Sequence, residues 1–165
     1  MDLETFTQVI KSFAGYSESA WSEIQEPYEV EGKDGDSSFA KRVITGLAAE
    51  QYFLSVQTKI PEFGGRIVQD TRLFGCGYDF RLDEAASEVF LAVEVKGLRG
   101  QTGGISMTPK EYKTAAQLRS RFFLFVVKNF RESPFHEVYQ DPLSGRLSFE
   151  RSERVTIQVS WLATV

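Results

Sequence analysis

Three charged residues stand where the chain otherwise spends apolar side chains. The run FLAVEVKG carries Glu94 and Lys96, and Asp79 of GCGYDF lies fifteen residues before Glu94. Read as a strand, this run sends Leu91, Val93 and Val95 to one face and Phe90, Ala92, Glu94 and Lys96 to the other, because successive side chains alternate. Glu94 and Lys96 are then same-face neighbours about 7 Å apart, at the strand end that runs into Gly97. Asp79 falls on the preceding strand of a hairpin connected by DEAAS, after Gly75 and Gly77, which allow a backbone or ligand to approach closely. A fourth acid, Glu50, sits in a helical stripe with Val43, Leu47 and Leu54, at spacings of four, three and four.

Two carboxylates against one ammonium leave an excess negative charge that is costly to desolvate unless a cation joins. An all-oxygen carboxylate pair suits a hard ion such as Mg²⁺, and Glu50 strengthens that reading. The same residues would also make a partly buried ion pair of Lys96 with Asp79 or Glu94. Residue types alone leave both readings open.

The elements that must position these residues follow from pattern. Residues 3–14 have helical spacing. The acidic QEPYEVEGKDGDSS reads as a loop, and Ser37 or Ser38 can cap a helix running to about Gln57. After a break at Pro61–Gly65 come three β-rich runs, Arg66–Gln69, Tyr78–Leu82 and Glu88–Lys96. GLRGQTGG is a glycine-rich loop. TPKE then starts a helix with Thr108 as N-cap, Pro109 at the first helical position and Glu111 completing a capping box. That helix ends near Arg121 and feeds FFLFVV, a continuous apolar run of the kind found in central strands. RLSFE and VTIQVSWLATV supply C-terminal strands. The order α, β, β, β, α, β is an α/β fold with a mixed sheet flanked by helices.

These residues carry a resemblance. Gly77-Tyr78-Asp79 followed by Glu94-Val95-Lys96, with Glu50 on the preceding helix, resembles the PD-(D/E)XK nuclease motif, and the element order is similar to the restriction-endonuclease-like αβββαβ core. Within that superfamily the chain is most similar to the domain at the C-terminus of the plant protein NO VEIN, widespread in bacterial restriction and defence systems. The likeness rests on ITGLAAEQYFL, GCGYDF, VEVKG, MTPKEYKTA and RFFLFVVKNF, and covers about residues 43–130. The motif's usual proline before the aspartate is replaced by Tyr78.

The resemblance implies a metal-dependent DNA endonuclease working in restriction or phage defence. Asp79, Glu94 and the Val95 carbonyl would hold Mg²⁺, or Mn²⁺ in its place, with Glu50 reaching the metal directly or through water, or orienting a ligand. Lys96 would orient or help deprotonate the attacking water and stabilise the transition state. Arg99, Lys110, Lys113 and Tyr112 would meet the DNA. A helicase or ATPase, a methyltransferase or a second copy of the chain is the partner such a nuclease implies. The competing class is a nuclease-like fold without activity that binds nucleic acid or a partner protein.

Composition agrees with one domain over residues 1–165: an N-terminal helix and acidic loop (1–36), a catalytic core (37–130) and C-terminal strands (131–165). Net charge is −4, yet residues 1–40 carry nine acids and two bases, while Lys96–Arg131 holds eight bases against Glu111 alone. Such a basic cluster is the footprint of a polyanion partner, or equally a solvated helix face. A lone cysteine, Cys76, leaves no internal disulfide, no run reaches membrane-spanning length, and MDLETFTQVI does not read as a signal peptide, so a cytoplasmic protein is expected. His136, in SPFHEVY, reads as structural, and Trp21 and Trp161 as packing residues.

Overall fold

The computed structural model describes residues 36–85, 87–130, 132–153, 161 and 163, with side chains from residue 44 onward. The N-terminal helix expected over 3–14, Trp21, and all but two residues of VTIQVSWLATV lie outside this range.

Two α-helices and five strands form the described core. Helix α1 runs Asp36–Val56 and is extended by a 3-10 turn, Gln57–Lys59. Strands β1 (Ile67–Asp70), β2 (Phe80–Asp83) and β3 (Leu91–Gly97) follow, then helix α2 (Pro109–Leu118), β4 (Phe122–Lys128) and β5 (Phe135–Gln140). The sheet order is β1-β2-β3-β4-β5, with β3 and β4 parallel and every other neighbouring pair antiparallel. Parallel β3 and β4 need a crossover, and α2 supplies it.

The alternation expected of β3 holds. Val93 and Val95 join Phe80, Leu82, Phe123, Phe125 and Val127 in the core beneath α1, while Ala92 packs with Phe122 and Ala115 of α2 on the other face. Both faces of the central strands are therefore covered, which is why FFLFVV is apolar at every position. Aromatic rings fill the α1 side, with Phe53 against Phe63, Phe80 and Phe125 at centroid distances of 5.9, 4.9 and 5.1 Å.

The buried stripe of α1 differs from the expected one. Ala49, Tyr52, Phe53 and Val56 face the sheet, whereas Leu47 is 54% and Leu54 38% exposed. The cause is a close helix–strand approach. A Cβ on Gly97 would lie 3.1 Å from the Ala49 Cβ and 2.6 Å from the Thr45 carbonyl oxygen. Only small residues fit there, so the helix turns its alanine inward and its leucines outward.

At the C-terminal end the sheet gains a strand, β5, that the sequence pattern does not predict. It pairs with β4 from Phe123↔Gln140 to Lys128↔Phe135 and closes that edge of the sheet. His136 on β5 stacks on Phe125 at 4.7 Å and meets the Tyr52 hydroxyl at 3.2 Å, with burial holding its pKa down. RLSFE is not a strand: it begins in the turn at 141–147 and continues as an irregular segment. Trp161 is 95% exposed rather than packed. Among the described residues, no helix is long and apolar enough to cross a membrane.

Candidate active site

Strand β2 stops pairing with β3 at Phe80↔Val93, although β3 continues to Gly97. This leaves one side of β3 open, and Asp79 fills it. The Asp79 N–H donates to the Val93 carbonyl at 3.0 Å, and the Val95 N–H donates to Asp79 Oδ2 at 2.9 Å. Because N–H and C=O of one strand residue point to the same side, the Val95 carbonyl also turns toward this open edge, beside the Asp79 carboxylate.

The loop that delivers Asp79 is held at both limbs. Thr71, which is buried, donates its N–H to the Asp79 carbonyl at 2.9 Å, and its hydroxyl reaches the carbonyls of Tyr78 and Asp79 at 3.1 and 3.0 Å. On the other limb Gly77 has φ +85°, and a Cβ there would stand 2.5 Å from Thr114 Oγ1. That glycine lets the loop lie flat against α2. The expectation that glycines before Asp79 permit a close approach is met by the protein's own helix.

Glu94 and Lys96 project from the same face of β3, with Lys96 Nζ 2.6 Å from Glu94 Oε1. Glu94 is only 3% exposed. Lys96 Nζ also donates to Glu111 Oε2 at 2.9 Å. Glu111 completes the capping box of α2, accepting from the Thr108 N–H at 2.9 Å while Thr108 Oγ1 accepts from the Glu111 N–H. One carboxylate thus caps the helix and pairs with the lysine. Sequence reasoning explains Glu111 by capping alone. The signal for its second role is its position as the lone acid among eight bases in Lys96–Arg131.

Electrostatics set this cluster apart from an ordinary ion pair. Burial, then the neighbouring Asp79 charge, push Glu94 up to about 8 against the pull of Lys96. Burial likewise raises Asp79 to about 6, with the Val95 N–H opposing it and Glu50 adding to it. Burial works to depress Lys96, but Glu94 and Glu111 outweigh it and hold the ammonium above its ordinary value. Glu111 ends below the usual carboxylate range despite its own burial, because Lys96 and Thr108 bond to it. One ammonium shared between two carboxylates satisfies Glu111 and leaves Asp79 and Glu94 repelling each other.

Glu50 has a partner that the sequence pattern does not show. Its carboxylate is bonded by the Arg72 guanidinium, which also grips Asp70 and lies 5.3 Å from the Phe80 ring centroid. It still reaches Asp79 through its charge. Neither Thr71 nor Arg72 stands out in the sequence, since DTRLF shows no periodicity between two strands.

Among the described residues, no group of three or more His, Cys, Asp or Glu side chains is arranged to hold a metal. What the site offers is a buried carboxylate, Glu94, and a half-buried one, Asp79, with unrelieved repulsion, and a backbone carbonyl. That donor set fits Mg²⁺, which keeps most of its waters and is commonly bound by one or two carboxylates. Of the residues expected to meet DNA, Lys110 and Lys113 are exposed, Arg99 is half-buried, and Tyr112 is 46% exposed with Phe149 packed edge-on at 6.3 Å.

The family described as Protein NO VEIN, C-terminal, matches residues 49–140, more than half of the chain. The chain belongs to this family. The match covers Glu50, Asp79, Glu94, Lys96 and Glu111, and ends at the last residue of β5. The NO VEIN C-terminal domain therefore includes the whole sheet, from β1 to β5, and the candidate site on it. No curated protein and no solved structure matches the chain.

Proposed function

We propose that this NO VEIN C-terminal domain is a metal-dependent DNA endonuclease of the PD-(D/E)XK type, acting in restriction or phage defence. The observation that supports it is the meeting of Asp79 and Glu94 at the open edge of β3, with Lys96 two residues along the same face. Asp79, Glu94 and the Val95 carbonyl would hold Mg²⁺, or Mn²⁺ in its place. The ion would acidify a bound water and neutralise charge building on the phosphate.

The chain's own residues do the rest. Lys96, kept protonated between Glu94 and Glu111, serves as a fixed hydrogen-bond donor to the charged phosphate oxygens rather than as a base. Glu111 orients that ammonium and keeps it from satisfying Glu94 alone. Thr71 fixes Asp79 through its backbone, and Arg72 fixes Glu50 at the rim. Lys110 and Lys113 on the exposed side of α2 supply contacts to the DNA backbone, which contribute affinity without reading sequence.

The test is cleavage of plasmid, methylated and unmethylated, in Mg²⁺ or Mn²⁺ and in EDTA, by the wild-type protein, Glu94→Ala and Lys96→Ala. Expected is metal-stimulated cutting by the wild type, abolished in both variants. Cutting unaffected by either substitution contradicts the assignment. Binding without metal-stimulated cutting on any substrate would select the alternative, a nuclease-like domain that only binds nucleic acid or a protein.

A further inference from the structure

The turn between β1 and β2 displays two large apolar side chains in water. Leu73 is 97% and Phe74 77% exposed, both on the 3-10 turn Arg72–Phe74. Isolated exposed apolar residues need no explanation. This pair differs because of what it is fastened to.

The Phe74 N–H donates to the Thr71 carbonyl at 2.9 Å, and Thr71 in turn holds the carbonyl of Asp79 through its N–H and hydroxyl. The segment is a closed loop with Asp79 at its base and Leu73 and Phe74 at its tip. Its returning limb lies on α2. Thr114 donates to the Cys76 carbonyl at 3.4 Å, and Lys110 Nζ is 3.6 Å from where a side chain on Gly75 would begin. An exposed ring, an ammonium and a candidate metal-binding carboxylate thus belong to one hydrogen-bonded loop–helix unit.

Lys110 beside the loop and Lys113 on the same exposed side of α2 offer two ammonium groups to a polyanion, and the ring narrows which kind. A paired duplex presents phosphates and base edges, while its flat base faces are stacked on each other. A phenyl ring finds a base face only where a base has left the stack. We infer that Leu73 and Phe74 form a stacking platform for unpaired bases of the strand held at the Asp79–Glu94 edge. The substrate is therefore nucleic acid with unpaired nucleotides at the site, as a single strand or a locally opened duplex. This deepens the nuclease reading and rests on it for the identity of the polyanion.

The test measures binding in EDTA, so that cleavage plays no part. Fluorescence anisotropy is followed with a labelled mixed-sequence strand of about 20 nucleotides, its duplex, and an abasic sugar–phosphate strand of equal length. Expected is wild-type preference for the base-bearing strand over both others by about tenfold or more. The doubly substituted Leu73→Ala/Phe74→Ala protein should lose that preference while binding the abasic strand unchanged. Phe74→Tyr, which keeps a stacking ring, should retain it. Equal wild-type affinity for base-bearing and abasic strands overturns the inference. So does equal loss on both strands in the double variant, the pattern of a contact with the sugar–phosphate chain, and so does a double variant that binds both strands as the wild type does, the pattern of a surface meant for a protein partner. Metal-stimulated cutting without any base preference overturns this inference alone. Base-selective binding without cutting overturns the cleavage reading and leaves this one standing.

Discussion

Glu94→Gln should stabilise the metal-free protein at alkaline pH, although it removes one arm of an ion pair. In the fold the Glu94 pKa stands at about 8 against an ordinary value of 4.5. A carboxyl whose pKa is raised by folding contributes stability that is fully present below its unfolded value and is lost as pH rises through its folded value. Stability of the wild-type protein in EDTA should therefore fall between about pH 4.5 and pH 8. Each pH unit between those two values corresponds to about 1.4 kcal/mol, so ionising Glu94 in place costs roughly 4–5 kcal/mol above pH 8. Glutamine avoids that cost, and the pull of Lys96 is already contained in the raised Glu94 value, so its loss is not subtracted again. The gain at pH 9 is roughly 4–5 kcal/mol, or a melting temperature roughly 8–20 °C higher for a chain of this size. At pH 5, close to the unfolded value, the gain should shrink to below about 1 kcal/mol. Thermal melts of both proteins across pH 5–9 in EDTA provide the comparison. Wild-type stability that is flat or rises over this range would refute the reasoning, as would a variant less stable than wild type at pH 9. Either result would mean that Lys96 holds Glu94 ionised at no cost.

Two further substitutions probe how the site is built. Thr71→Val removes the hydroxyl that bridges the Tyr78 and Asp79 carbonyls, and should lower stability by about 1–2 kcal/mol in urea melts while weakening Mn²⁺ binding. Gly97→Ala would put a Cβ 2.6 Å from the Thr45 carbonyl oxygen, forcing α1 away from β3 at a cost of about 1–3 kcal/mol by the same assay. A neutral result for Gly97→Ala would show that the helix–strand approach is looser than the fold requires.

The parts of the fold that can be read from sequence are those where local and global signals agree. Thr108, Pro109 and Glu111 start α2 by backbone chemistry alone, and β4 is apolar from Phe122 to Val127 because both its faces are covered there. The same-face placement of Glu94 and Lys96 follows from strand alternation once β3 is located. Where burial depends on a partner surface, sequence fails. Ala49 and Gly97 mark the closest helix–strand approach, yet small residues carry little hydrophobic signal, so periodicity points to Leu47 and Leu54 instead. Strand β5 escapes the pattern because FHEVYQ mixes His, Glu and Gln with its apolar positions and lies at the sheet edge with both end residues exposed. Within the site, Arg72 and Thr71 act across the chain on Glu50 and Asp79, and nothing in DTRLF announces those partners. Glu111 is visible as a cap, but its second bond, to Lys96, needs the crossover geometry that brings the start of α2 over the end of β3.

The most direct measurement is calorimetric titration of Mn²⁺ into the wild-type protein and Asp79→Asn at pH 7, in two buffers of different ionisation enthalpy. Ligand carboxyls must lose their protons when a metal binds, and Glu94 at about 8 is mostly protonated at neutral pH. Expected is a single site in the wild type that releases about one proton per ion, and its loss in Asp79→Asn. Absence of Mn²⁺ binding, or binding that is the same in both proteins, would contradict the assignment of Asp79 and Glu94 as a metal centre.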